Sequence, residues 1–218
     1  LLVNDDTFQI ARLLPNINFI HTFSYKKKTD RRLTQEAKLI SKLFRKYDLS
    51  INLTSSDRSV LYAIFASKKS ISVVEKDNKK SWWKKKLLTK FYFYENSRHM
   101  FLQNLTPLSL LNIKHENILD SIDINNQVFD SVQNKLKKHN IKDFIIFHPS
   151  AQYHYKILPK YLRDELLNSL NKLGISIIIT GSKSEIDLTI KEEIPKIKNI
   201  FCFIGDTSLS EYFVLSLS

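Results

Sequence analysis

Apolar residues in this chain cluster at two spacings. Phe144-Ile145-Ile146-Phe147 is a short continuous apolar run, and residues 175–179, apolar except at Ser176, read as a second buried strand. Runs of this length between turn residues suit strands buried on both faces. Between them Leu162, Leu166, Leu167, Leu170 and Leu173 recur at helical spacing. Pro159 suits the first turn of that helix, and Gly174 sits where a C-terminal cap belongs. The polar loop His148-Pro149-Ser150-Ala151-Gln152-Tyr153-His154-Tyr155-Lys156 follows the first strand, and Thr180-Gly181-Ser182-Lys183-Ser184-Glu185 follows the second. The pattern predicts a β-loop-α-β-loop unit with polar segments at the carboxyl ends of two parallel strands, where open α/β sheets bind ligands. A lysine and small hydroxyl residues at that edge point to an anionic ligand such as a diphosphate.

The alternation extends to both sides. Leu39, Ile40, Leu43, Phe44 and Tyr47 predict a helix with Thr34 as its N-cap. Strands are predicted at 49–53 and 70–74, with a helix between them that Thr54 to Asp57 cap and that runs to Ala66. Residues 75–95 read as a charged and aromatic loop. Residues 96–113 read as a helix that Pro107 kinks or breaks, and 114–126 lack a period and form the linker. Val128, Phe129, Val132 and Leu136 mark the next helix. After Glu185 come a helix, a strand at 200–204, and a helix opened by Ser208 and Glu211 at capping-box spacing. The expected fold is α/β: two Rossmann-like domains with parallel sheets, one over 1–120 and one over 121–218. The chain starts at Leu1-Leu2-Val3 without Met and stops at Ser218 inside an apolar helix, so both domains are expected to be incomplete.

Composition narrows the chemistry. Glycine occurs only at 174, 181 and 205, which excludes a Gly-x-Gly-x-x-Gly fingerprint and a Walker A loop. Cys202 is the single cysteine, so no intramolecular disulfide exists and a reducing compartment fits. No apolar run approaches the length of a membrane span. The net charge is +12, and residues 24–46 and 68–90 each hold nine Lys/Arg against two acids, leaving the remainder near neutral. Such segments attract an acidic polymer, an anionic membrane or a phosphorylated acceptor; the alternative is a solvated surface in a Lys-rich proteome. No His or Cys spacing suggests a metal, and no cofactor is expected.

His148, Pro149, Ala151, Lys156, Pro159, Thr180, Gly181 and Glu185 together resemble, in order and spacing, the heptosyltransferases of glycosyltransferase family nine. Ser150, Leu158 and Ser182 depart from the family's usual Gly, Trp and Gly. The resemblance implies the GT-B layout, with residues 121–218 binding the nucleotide sugar and 1–120 facing the acceptor. It implies heptose transfer, with inversion, from an ADP-heptose donor to a lipopolysaccharide inner-core acceptor.

On that resemblance Lys156 neutralises the donor diphosphate and the leaving ADP, or else is a surface lysine before a helix led by Pro159. Ser150, Ala151 and Gln152 lie against the phosphates, the last two through backbone N–H groups. Thr180, Gly181 and Ser182 shape the nucleotide pocket, and Glu185 accepts from the ribose hydroxyls. Ser182 and Glu185 also have capping-box spacing, and both roles fit one helix start. Arg58 holds an acceptor phosphate or carboxylate, or else forms a helix-start charge pair with Asp57. His99, in the family-like run RHMFLQNL, faces the cleft, or else is a satisfied helix residue. The run Ser81-Trp82-Trp83-Lys84-Lys85-Lys86, followed by Phe91-Tyr92-Phe93-Tyr94, suits a membrane interface or stacking on bases. The membrane is preferred because the acceptor is lipid-linked, which places Lys84, Lys85 and Lys86 on the acceptor side. The expected location is cytoplasmic, peripheral at the inner face of the inner membrane, with no nucleic acid partner.

The family's Gly-Asp loop with its proposed catalytic acid, and its Asp-Ser-Gly-Pro-x-His-like donor segment, have no match in the 218 residues. No catalytic base is therefore assigned, and this stretch alone is expected not to catalyse transfer. The competing reading is a basic binding module for nucleic acid or anionic membranes, a decayed transferase.

Overall fold

In the computed structural model, which describes residues 1–25, 29–114 and 122–218, every strand pairing among the described residues is parallel. The chain divides into two units, Leu1–Phe8 with Ile17–Ser121 and Gln9–Asn16 with Ile122–Ser218. A short helix, α1 (Phe8–Ala11), carries the chain from the first into the second. Most of the expected linker, residues 115–121, lies outside the described residues, as do 26–28 of the first basic segment.

In the first unit β1 (Leu2–Asn4) pairs with β2 (His21–Phe23), and β3 (Ser50–Asn52), β4 (Ser70–Val74) and β5 (Lys90–Phe93) form a second sheet in that order. The helices are α2 (Thr29–Leu43), α3 (Asp57–Ala66), α4 (Asn78–Leu87), α5 (Met100–Asn104) and α6 (Thr106–Leu110). All of β4 is buried, and its residues divide by the pleat. Ile71 and Val73 pack with Tyr92 and Leu110, while Val74 packs with Val60 of α3 and Leu88. Ser56 caps α3, as the sequence predicts.

Three expectations change here. Residues 75–95 are not a loop: they hold α4, capped by Asp77, and β5. The inward positions of α4 include Ser81 and Lys84, so no apolar period betrays the helix. Residues 96–113 are two short helices that break at Leu105, with Pro107 in the first turn of α6, where its missing N–H is harmless. The helix expected from Thr34 begins at Thr29.

The second unit contains α7 (Asn126–Lys138), β6 (Phe144–Phe147), a 3₁₀ turn at His154–Lys156, α8 (Lys160–Asn171), β7 (Ser176–Ile179), α9 (Glu185–Glu193), β8 (Ile200–Cys202) and α10 (Leu209–Leu217). The sheet order is β6-β7-β8, so β7 is central. Ile177 and Ile179 pack with Leu167 of α8 and Ile190 of α9, while Ile178 packs with Val132 and Leu136 of α7 and with Val214 and Leu215 of α10. The sheet thus lies between two helical layers, and each fully buried isoleucine is worth about 1.5–3 kcal/mol relative to exposure. The five-leucine stripe is narrower than expected: Leu167 is buried, but Leu162, Leu166 and Leu173 are exposed. Arg163 takes an inward place on α8 and pairs with Glu193. Among the described residues no helix is long and apolar enough to cross a membrane.

Ser208 and Glu211 form the predicted capping box of α10. Glu211 also pairs with Lys135 of α7 at 2.8 Å and accepts from Ser131 at 2.8 Å. Burial alone would raise its pKa, but Lys135, the Ser208 N–H and the Ser131 and Ser208 hydroxyls outweigh burial and hold it at about 2, against an ordinary 4.5. A carboxylate depressed on folding stabilises above its unfolded pKa, and that contribution fades as pH falls through the folded value. Thermal unfolding from pH 6 to pH 2 is expected to lose on the order of 3 kcal/mol from this group between about pH 4.5 and 2. Glu211→Gln should be less stable at pH 6 and show a flatter pH dependence; an unchanged profile would contradict the assignment.

Candidate functional site

The carboxyl edge of the β6-β7-β8 sheet gathers the polar loops. Backbone bonds continue past the strand ends: Thr180 N–H donates to Phe147 O (3.0 Å), Phe203 N–H to Ile179 O (2.8 Å) and Gly205 N–H to Gly181 O (3.1 Å). His148 leaves β6 and lies 3.2 Å from Thr180 Oγ1 through Nδ1 and 3.3 Å from Ser150 Oγ through Nε2. It is therefore a link between the first two loops, a role its position in the sequence does not reveal.

Asp187 organises the second loop. Its Oδ2 accepts from Ser182 N–H (2.9 Å), from Ser184 Oγ (2.9 Å) and from the Ser182 hydroxyl, and its own N–H donates to Ser184 Oγ (3.2 Å). Asp187 is only 5% exposed. Burial opposes its ionisation, but the hydroxyls of Ser150, Ser182 and Ser184 and the Ser182 N–H outweigh burial and hold its pKa below the ordinary carboxylate value. The N-cap of α9 is thus Ser184 with Asp187 three residues on, correcting the Ser182–Glu185 capping box. The signal lay in the sequence, since both pairs have the same spacing. Gly181 has a structural reason: a Cβ there would stand 3.0 Å from Asp187 Oδ1 and 3.1 Å from Ile204 Cγ1.

Glu185 is freed from the cap and lies exposed in the first turn of α9. Ser150 is half-buried and engaged with His148; Ala151 is half-buried and Gln152 exposed. Lys156 closes the 3₁₀ turn after β6, exposed, with its ammonium 5.4 Å from the Tyr153 ring centre and 5.8 Å from that of Tyr155. Among the described residues no carboxylate pairs with it. One edge of the sheet therefore presents a free cation, an exposed carboxylate and hydroxyl-bearing loops braced by Asp187.

The first unit holds a cavity of about 590 Å³. Residues of β1 and of β3, each paired to one strand among the described residues, line it together with Arg58 and Tyr62. Arg58 pairs with Glu36 through Nε at 3.2 Å and lies over the Phe23 ring at 4.2 Å, while its buried Nη1 has no hydrogen-bond partner among the described residues. His99 is the N-cap of α5, accepting from Phe101 N–H, which matches the satisfied-helix alternative. No hydrogen bond or ion pair joins Arg58, Lys85, Lys86 and His99 to one another among the described residues.

Lys84 corrects the expected surface triplet. It is fully buried, 2.7 Å from Asp57 and 2.9 Å from Glu75, and donates to Ser55 O at 2.6 Å. Burial opposes its charge, but Asp57 and Glu75 outweigh burial and raise its pKa. Lys85 is half-buried, bonds Asn78 and stands over the Phe93 ring at 4.9 Å, whereas Lys86 is exposed.

Parallel strands, polar loops on one carboxyl edge and an unpaired lysine there define the ligand-binding class of open α/β proteins. The chain belongs to glycosyltransferase family 9 (heptosyltransferase), whose model matches residues 36–215. No curated protein matches it. Among solved structures it is similar to the glycosyl transferase family 9 from Veillonella parvula DSM 2008, with a TM-score of 0.74 and 15% identity over 98% of this chain and 62% of that one. It is also similar to E. coli ADP-heptose LPS heptosyltransferase II (TM-score 0.64, 16% identity, 98% of this chain and 65% of that one). E. coli heptosyltransferase WaaC with ADP gives a TM-score of 0.69 at 12% identity, over 98% of this chain and 67% of that one. These likenesses establish the GT-B glycosyltransferase fold, and the chain spans 62% of the first of these relatives.

Removing the Lys84 charge leaves Asp57 and Glu75 facing each other without their cation. Lys84→Met is expected to destabilise by roughly 2–4 kcal/mol, less than a wholly buried pair because Asp57 reaches solvent. Lys86→Met should change stability by less than about 0.5 kcal/mol. Denaturant titration of the two variants compares them, and equal stabilities would place Lys84 on the surface.

Proposed function

We propose that this chain is part of a transferase that moves heptose from ADP-heptose to a lipopolysaccharide core acceptor. The observation that carries the reading is the unpaired Lys156 on the carboxyl edge of the second unit's sheet, beside loops held by Asp187, in a family 9 chain. A relative of the same fold is described with ADP. The donor diphosphate lies on Lys156 and on backbone N–H groups of the 150–152 loop, and Glu185 accepts from the ribose hydroxyls. Thr180, Gly181 and Ser182 wall the nucleotide pocket. As the bond from the anomeric carbon to the diphosphate breaks, charge builds on the departing ADP, and a fixed ammonium stabilises it more in the transition state than in the ground state. An acceptor hydroxyl attacks from the opposite face as its proton passes to a general base, which inverts the anomeric centre and leaves ADP and the glycosylated acceptor.

The first unit serves the acceptor and the membrane in this reading. Arg58 and His99 stand on the acceptor side. Exposed Trp82 and Lys86, with Lys85, suit the headgroup zone of an anionic membrane, and in this reading the protein sits at the cytoplasmic face of the inner membrane. Lys85→Gln with Lys86→Gln is expected to weaken binding to phosphatidylserine-containing vesicles, by about 1 kcal/mol per charge, with ADP affinity unchanged. Loss of ADP affinity with vesicle binding intact would reverse the assignment. Steep salt-dependent binding to any DNA, with no response to ADP-heptose, would instead favour a basic binding module.

Lys156→Ala tests the donor site. Loss of a charge-assisted phosphate contact costs about 1.5–3 kcal/mol, so calorimetry should find ADP-heptose bound roughly 10- to 100-fold more weakly. Unchanged donor affinity would remove Lys156 from the site.

A further inference from the structure

Tyr153 and Tyr155 are 50% and 79% exposed. Their rings stack at 5.6 Å between centres with planes 22° apart, and the Lys156 ammonium lies within 5.8 Å of both. Neither ring belongs to the hydrophobic clusters on the two faces of the sheet. Backbone bonds hold the turn instead: Lys156 N–H donates to Tyr153 O (2.9 Å) and Ile157 N–H to His154 O (3.1 Å). The fold therefore gains little core from these rings, yet holds an aromatic step beside a free cation, at the ligand edge of the sheet.

We propose that Tyr153 and Tyr155 form a stacking step for the transferred sugar. The proposal rests on the donor site described above. A ligand that satisfies both features joins an anion directly to a ring with an apolar face. In a nucleoside diphosphate sugar the transferred pyranose is bonded through its anomeric carbon to the β-phosphate, whereas the base is a ribose away from the α-phosphate. The Lys156 loop follows β6, and Glu185 follows β7, its neighbour in the sheet. With the ribose at Glu185 and the diphosphate at Lys156, the sugar lies against the tyrosines that flank the Lys156 ammonium. Its C–H face then packs on the exposed ring of Tyr155, with Tyr153 stacked beneath. The step thus selects a donor with a bulky pyranose over the bare nucleotide.

Calorimetry with the 218-residue chain would compare ADP and ADP-heptose on wild type, Tyr155→Ala, Tyr155→Phe and the Tyr153→Ala/Tyr155→Ala pair. Loss of the aromatic face should weaken ADP-heptose by roughly three- to tenfold and leave ADP affinity the same. Tyr155→Phe keeps the face and should bind like wild type. Proton spectra of bound ADP-heptose should show sugar C–H signals moved upfield by the rings in wild type and not in the double variant. Equal losses for ADP and ADP-heptose, or no loss for either, overturn the stacking step while Lys156 keeps its role. A wild-type chain that binds neither ligand overturns the donor site and this proposal together.

Discussion

Parallel strands cannot be joined by a hairpin. Each must return through a crossover, usually a helix, before the next begins, so all their carboxyl ends leave one edge of the sheet. The rest of the second unit depends on that constraint. α8 lies between β6 and β7, and α9 between β7 and β8, so three loops of unrelated sequence emerge side by side. The ladder then runs beyond the strands, through Thr180 to Phe147 and Gly205 to Gly181, and fixes the height of each loop. Asp187 and His148 act within a frame that the backbone has already set.

The cations divide by what burial does to them. Lys84 and Arg163 are both buried, and each meets carboxylates, because an unpaired interior charge is too costly. They brace loops and helices. Lys156 has the opposite setting: it is exposed, held by a short turn and faced by the Tyr153 and Tyr155 rings. A formal charge of +12 thus overstates the cations offered to a partner.

The sequence exposed most of the second unit because its strands are apolar on both faces and its helix ends carry local signals. The strand at 144–147, the left-handed Gly174 and the box at Ser208 and Glu211 stand where the pattern puts them. In the first unit the same reasoning works for Ser70–Val74 and for the Ser56 cap. It fails at α4 for a physical reason. The inward Lys84 is made tolerable by Glu75, nine residues back, and by Asp57 at the start of α3, and no period links those positions. The misplaced cap of α9 has another cause: hydroxyl-to-acid spacing occurs twice within six residues, and it is the fold that buries Asp187, beside Gly181, and leaves Glu185 exposed. Edge position, charge and hydroxyl content of the candidate site were legible. The tyrosine stack and the His148 link were not, because they depend on how loops meet.

The glycines missing from the family-like motif show how far such a motif can drift. Ser150 and Ser182 stand where the family usually has glycine, and neither backbone is left-handed, so a side chain costs nothing in conformation. Ser182 even contributes a hydroxyl to Asp187. Gly181, one residue earlier, has no room for a methyl group. Elsewhere the left-handed ends of α6 and α7 are made by Asn112 and Asn140, closed by Ile113 to Leu108 and Ile141 to Leu136 bonds. In a chain with three glycines, the shape of the turn persists while its usual residue is lost. Glycine-centred signatures therefore understate kinship among compositionally biased sequences: this chain keeps glycine at 181, where space is short, and at 174 and 205, where the torsion is left-handed.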